Sequence, residues 1–183
     1  VESDYTLFTG HSASRSSNPV TAQTLSVDTF NDSIIDTTLT IPVSSSSSYT
    51  LKEFKENASK SGILAEAVTR VMIDPIEDIA ISGTISMSLS SGLKDAVSIS
   101  ATILPNDLSN LVNEINKVSE LTGVKAILFS DKKRLILENS DAEDIKISNF
   151  SAPGAGQTTA TVLNQLYRST TSSITLGSAS TNN

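Results

Sequence analysis

Cysteine and tryptophan are both absent from the 183 residues, histidine occurs once, and aromatic side chains make up only 4%. Without cysteine there is no disulfide, no thiolate metal site and no cysteine nucleophile. That suits a secreted protein that does not depend on oxidation, although many cytosolic domains share it. The one imidazole, His11, stands in a serine-rich segment with no carboxylate nearby. A Ser-His-Asp triad would have to be built on it, and it reads instead as a solvated loop residue. Positive charge is also short. Thirteen Lys and Arg against 20 Asp and Glu leave a net charge of −7, which argues against a nucleic-acid partner, since phosphates need a basic patch. No apolar run approaches the roughly 18 residues of a membrane-spanning helix.

Hydroxyls fill the space these absences leave. The chain holds 32 Ser and 20 Thr, over a quarter of its residues, while hydrophobic residues reach 38%. Such a composition predicts thin layers whose solvated strand faces carry hydroxyls, in one medium domain or two small ones. The first residue is Val1, with no methionine and no signal-peptide pattern, so the expectation is a processed protein or a piece of a longer one.

Residues 107–150 organise the rest. Leu108, Leu111, Val112, Ile115 and Val118 recur at helical period and predict one apolar stripe. Asn106 or Asp107 is placed to cap the helix, and Gly123 to end it in a left-handed conformation. The period then becomes two. Val124, Ala126 and Leu128 share a strand face, Asp131-Lys132-Lys133 makes a polar turn, and Leu135 and Leu137 line the return. Ile145 and Ile147 open a closing strand after the acidic loop at 141–144.

Earlier in the chain, Tyr5, Leu7 and residues 22–25 suggest short edge strands, and residues 38–43 a better one that ends at Pro42. Residues 44–48 are five serines that read as a solvated loop. Thr50 and Glu53 have capping-box spacing, with Tyr49 and Phe54 as a hydrophobic staple, for a helix that stops at Gly62. Residues 81–89 and 97–103 alternate around a turn at 91–95 and predict a hairpin. The segment 61–83 resembles 122–149, because Gly62-Ile63 answers Gly123-Val124 and 77–82 answers 143–148. This internal repeat predicts two units of one topology. Beyond Phe150, residues 157–168 read as a last helix with Val162, Leu163 and Leu166 inward, and Ile174 and Leu176 as a last strand. Residues 177–183 are expected to fray.

Little here carries chemistry. Gly154-Ala155-Gly156 lacks the lysine of a phosphate loop. The groups Asp74-Glu77-Asp78 and Asp141-Glu143-Asp144 offer oxygen ligands for calcium, yet lack the alternating spacing and central glycine of an EF-hand. They read as wet turns before a strand. Lys132-Lys133-Arg134 reads as a solvated hairpin tip. The triplets at Asn31, Asn57 and Asn149 match the N-glycosylation pattern. No residue is assigned a catalytic, cofactor-binding or metal-binding role.

Ile115-Asn116 at the end of a helix, then Thr122-Gly123-Val124, Ala126 and the strand at 135–137, resembles the IN motif of bacterial flagellins and hook-associated proteins. The likeness covers about forty residues directly and about 120 through the repeat. The long helical termini of that family are not in this sequence. The resemblance divides the chain into an extended segment (1–37), a first IN-like unit (38–90), a second (91–150) and a Ser/Thr-rich segment (151–183). It implies an α+β fold of two repeated β-α-β-hairpin units with mostly antiparallel strands. It further implies a non-catalytic structural subunit, the outer domain of an extracellular flagellar filament. Its partners would be neighbouring flagellin subunits of a homopolymer, with no cofactor, no nucleic acid and no membrane, and with room for O-linked glycans. Because the family is bacterial, the resemblance also implies that the N-glycosylation triplets are matches by chance. A hook-associated or filament-cap domain is the alternative within the same motif. A surface adhesin or phage-tail decoration domain is the alternative in a binding class, and a hydrolase comes last for want of convergent acid and base groups.

Overall fold

The computed structural model describes residues 4–7, 21–28, 33–43, 45–76, 82–155, 157–163 and 169–177. The fold is α+β, and its strand pairs are all antiparallel. The chain divides into two compact units, Gly10–Ala67 and a discontinuous one made of Val1–Thr9 with Val68–Asn183. The smaller unit is thus an insertion within the larger. These units cut across the segments read from the sequence, because β1 (Asp4–Leu7) pairs with a strand some 140 residues later, Tyr5 opposite Ile147.

In the smaller unit, β2 (Gln23–Val27) and β3 (Thr37–Ile41) form a two-stranded ladder with Leu25 opposite Leu39. Leu39 and Ile41 are buried on one face, as their alternation predicts, and Pro42, which has no N–H to donate, follows the last residue of β3. Helix α1 (Ser47–Ser61) lies against β3 and buries Leu51. It begins before the Thr50–Glu53 box expected of it. The Ser46 side chain accepts from Tyr49 N at 3.1 Å, so a hydroxyl of the serine run satisfies a first-turn amide earlier in the chain. The helix ends at Gly62, at φ +65°, as expected.

The larger unit holds two sheets. The first has the order β1-β9-β5-β6, with β5 (Gly83–Ser91), β6 (Val97–Ile103) and β9 (Ile145–Ser151). The second runs β11-β10-β4-β8-β7, with β4 (Thr69–Ile73), β7 (Lys125–Leu128), β8 (Leu135–Asn139), β10 (Gln157–Leu163) and β11 (Ser169–Gly177). Helices α2 (Ser109–Lys117) and α3 (Ser119–Thr122) lie between β6 and β7 in sequence, and α2 packs against both strands. One apolar cluster draws Ile85, Ile103 and Ile147 from the first sheet, Val71, Leu137 and Ala160 from the second, and Leu111 and Ile115 from α2. Each fully buried Val, Leu or Ile among them contributes about 1.5–3 kcal/mol, and Ala160 less. Opposite faces obey the alternation: Ser98, Ser100 and Thr102 of β6 are exposed between buried Ile99, Ala101 and Ile103.

Several expectations need correction. Residues 157–163 are a strand, not a helix. Val162 and Leu163 imitate a helical stripe, but pairing with β4 on one side and β11 on the other outweighs it, and residues 164–168 lie outside the described residues. The helix at 108–122 is broken at Val118 (φ −107°, ψ 12°) into α2 and α3. The closing strand β9 leaves the β7–β8 hairpin and joins the first sheet, beside β5 and β1. Gly62 and Gly123 both end helices at positive φ, and both are followed at a distance by strands, β4 and β8, that pair with each other. However, no strand stands between Gly62 and β4 to answer β7. Most of the repeated block at 77–82 lies outside the described residues.

Candidate functional site

Among the described residues, polar side chains converge along the passage from α2 through Gly123 into β7, beginning at the helix start. Asp107 Oδ1 accepts from Ser109 N, the first residue of α2, at 2.8 Å, but the N-cap is Leu108, which makes no side-chain capping bond, so Asp107 stands one residue outside the cap expected of it. Asp107 Oδ2 also meets Lys132 Nζ at 3.0 Å, and Leu108 N donates to Lys132 O at 2.9 Å. The tip of the β7–β8 hairpin therefore clasps the start of the helix. Arg134 folds onto Asp131 at 2.8 Å and stands 4.8 Å from the centre of the Phe129 ring. The basic tip expected to be merely solvated is engaged at two of its three residues.

Hydrogen bonds from Ser109, by its hydroxyl and its amide, and then from Lys132, pull the Asp107 carboxyl down from 3.8 to about 2. Because the folded value lies below the unfolded one, this contribution to stability is complete above about pH 4 and is lost as the pH falls toward 2. Titration of the Asp107 carboxyl by NMR should give a midpoint near 2 in the native chain. A midpoint at the ordinary value would show that the clasp does not form in solution.

At the other end of α2, Asn116 does what a neighbouring strand would do. Its Oδ1 accepts from Ala126 N at 2.8 Å and its Nδ2 donates to Ala126 O at 3.0 Å. Since β7 is the edge of its sheet, one side-chain amide pairs the backbone groups that the ladder leaves over. Four residues before Ala126, Thr122 Oγ1 accepts from Val124 N at 3.2 Å and donates to Val118 O at 3.1 Å. Asn110 similarly donates to Thr102 O on the edge strand β6 at 2.8 Å.

Beneath Gly123 lies a buried network. Ser91 Oγ donates to Thr122 O at 2.7 Å and accepts from Asn139 Nδ2 at 3.1 Å. Asn139 Nδ2 also donates to Gly123 O at 2.8 Å. Its Oδ1 accepts from the amides of Asp141 and Glu143 at 3.0 and 2.8 Å, so the acidic loop wraps around this one side chain. Gly92 N donates to Asp144 O and Lys146 Nζ to Gly92 O, which fastens the end of β5 to the same loop.

Asn139 went unremarked in the sequence and Ser91 was read only as the start of the 91–95 turn, whereas it is the last residue of β5; yet a signal was there. Ser91 continues the inward parity of Ile85, Met87 and Leu89, and Asn139 that of Leu135 and Leu137, so each is a polar residue at a core position.

Chemically the site is quiet. Ser91 is bonded to a carbonyl and an amide rather than to a base, and no buried side-chain polar atom among the described residues lacks a partner. Among the described residues no three His, Cys, Asp or Glu come together in a way that would hold a metal ion. Of the first acidic group, Asp74 accepts from Thr158 Oγ1 through its backbone carbonyl at 2.6 Å, while Glu77 and Asp78, like His11, lie outside the described residues. No helix among the described residues is long and apolar enough to cross a membrane. No protein-family model matches the chain, and no curated protein matches it.

Proposed function

We propose that this chain is a structural module, the outer domain of a flagellin-like filament subunit, and that the Asn116–Thr122–Gly123 turn is its joint. The observation that carries the reading is the pair of bonds from Asn116 to the backbone of Ala126. It gives the Ile-Asn and Thr-Gly-Val elements of the resemblance one common task, fixing the register of helix against strand. The saturated hydrogen bonding around that turn suits mechanical service better than turnover. The contact between β1 and β11 adds support, because the first and last strands sit together, as an insertion hung from two connectors requires.

In this reading residues 38–90 and 91–150 are two copies of one β-α-β-hairpin unit, the first lacking a hairpin arm. The left-handed glycines Gly62 and Gly123, each after a helix, and the pairing of β4 with β8 support that descent. Neighbouring subunits of the homopolymer are its partners, its place is outside the cell, and exposed Ser and Thr are where O-linked glycans would be carried. Deleting residues 1–183 from the complete subunit tests the proposal. A thinner filament that still assembles is expected, and loss of all filaments would mean that the module builds the core.

A further inference from the structure

Most edges of the larger unit that α2 approaches are closed by side chains, as Asn116 closes β7 and Asn110 engages β6. Strand β2 of the smaller unit is treated differently. Among the described residues it pairs only with β3, and Gln23, Thr24, Leu25 and Ser26 are exposed along it. A two-stranded ladder is marginal in water and gains from a third strand. Natural edges are guarded by lysine, proline or a bulge, and the sequence Gln-Thr-Leu-Ser-Val has no charge, no proline and an unbroken register.

We propose that this edge is a self-association surface, on which two copies of the chain pair β2 with β2 antiparallel about Leu25. The strand is five residues long, so a two-fold axis through its middle sets Leu25 against Leu25, Thr24 against Ser26 and Gln23 against Val27. Leu25 is 41% exposed although it stands opposite the fully buried Leu39, and its counterpart in the second copy covers that remainder. The occupant is a second copy rather than a foreign protein because the strand offers neither charge nor ring to select one, while it complements itself. It also places no like charges face to face in a chain of net charge −7. One short strand and its margins bury less than the roughly 1,200 Å² of a stable interface, so the pairing is weak and takes hold where copies are crowded. The inference does not depend on the filament reading.

Sedimentation of the whole chain should give a monomer at about 10 µM and an average mass rising toward the dimer near about 1 mM. Thr24→Lys with Ser26→Lys, both at exposed positions, should hold the mass at the monomer throughout with the circular dichroism unchanged. The absence of cysteine permits a second arm. Leu25→Cys should form a covalent dimer on mild oxidation, because directly opposed Cβ atoms lie within about 5.5 Å. Ser26→Cys, whose opposite number is Thr24, should cross-link at least tenfold more slowly. A native chain monomeric at every concentration, or equal cross-linking of the two cysteine variants, would overturn the proposal.

Discussion

Replacing Asn139 with leucine is expected to cost about 3–5 kcal/mol of unfolding free energy, although the two side chains are nearly the same size. Asn139 is 2% exposed and serves four partners. Leucine would fill the volume and leave Gly123 O and the amides of Asp141 and Glu143 to find others. Each polar group stranded in that way costs about 1–3 kcal/mol, reduced where water reaches the loop. Asn139→Asp separates chemistry from packing. A carboxylate still accepts from the two amides but has no proton for Gly123 O, so its cost separates the loop amides, which it keeps, from the carbonyl, which it strands. Urea titrations of both variants at pH 7 provide the readout. A leucine variant within about 1 kcal/mol of the native chain would mean that the amide network is not what joins β5, β8 and the acidic loop.

What the sequence revealed and what it hid follow from the range of the forces involved. The α2 stripe, Gly123, the β7–β8 hairpin and the β5–β6 hairpin all rest on local periodicity and turn chemistry. All four were legible as elements, although the register that sets Leu89 against Val97 in the second hairpin came only with the fold. Strand β10 was misread because Val162 and Leu163 also fit a helical stripe, and only long-range partners decide between periods. The departure of β9 to the other sheet was hidden for the same reason, since alternation says which face is buried and not which neighbour is paired. The serine run concealed a cap because five equivalent hydroxyls do not reveal which one adopts the extended φ and ψ found at Ser46. The site itself was half visible. Gly123 was named for its left-handed turn, whereas the strand-like pairing by Asn116 is a side-chain-to-backbone bond that no period announces.

Gly123→Ala is expected to cost about 2–4 kcal/mol, and Gly62→Ala about 1 kcal/mol. Both glycines close helices at nearly the same angle, φ +72° and +65°, so the strain of giving an L-residue that backbone is shared. Their surroundings differ. Gly62 is exposed, so a methyl there has less to displace. At Gly123 a Cβ would stand 2.5 Å from Ser91 Oγ and 3.3 Å from both Asn139 Nδ2 and Lys94 Cδ. Ser91 cannot yield without giving up its bonds to Thr122 O and Asn139, and Asn139 in turn holds the loop at Asp141 and Glu143. The excess over Gly62 is therefore the cost of the network rather than of the turn. Adding Ser91→Ala to Gly123→Ala should recover part of the loss, because it removes the oxygen that the new methyl strikes, and a double-mutant cycle measures that coupling. If urea midpoints show equal costs for the two glycines, or if Ser91→Ala adds to the damage in full, Gly123 is no more than a helix stop. The joint would then have to lie in Asn116 alone.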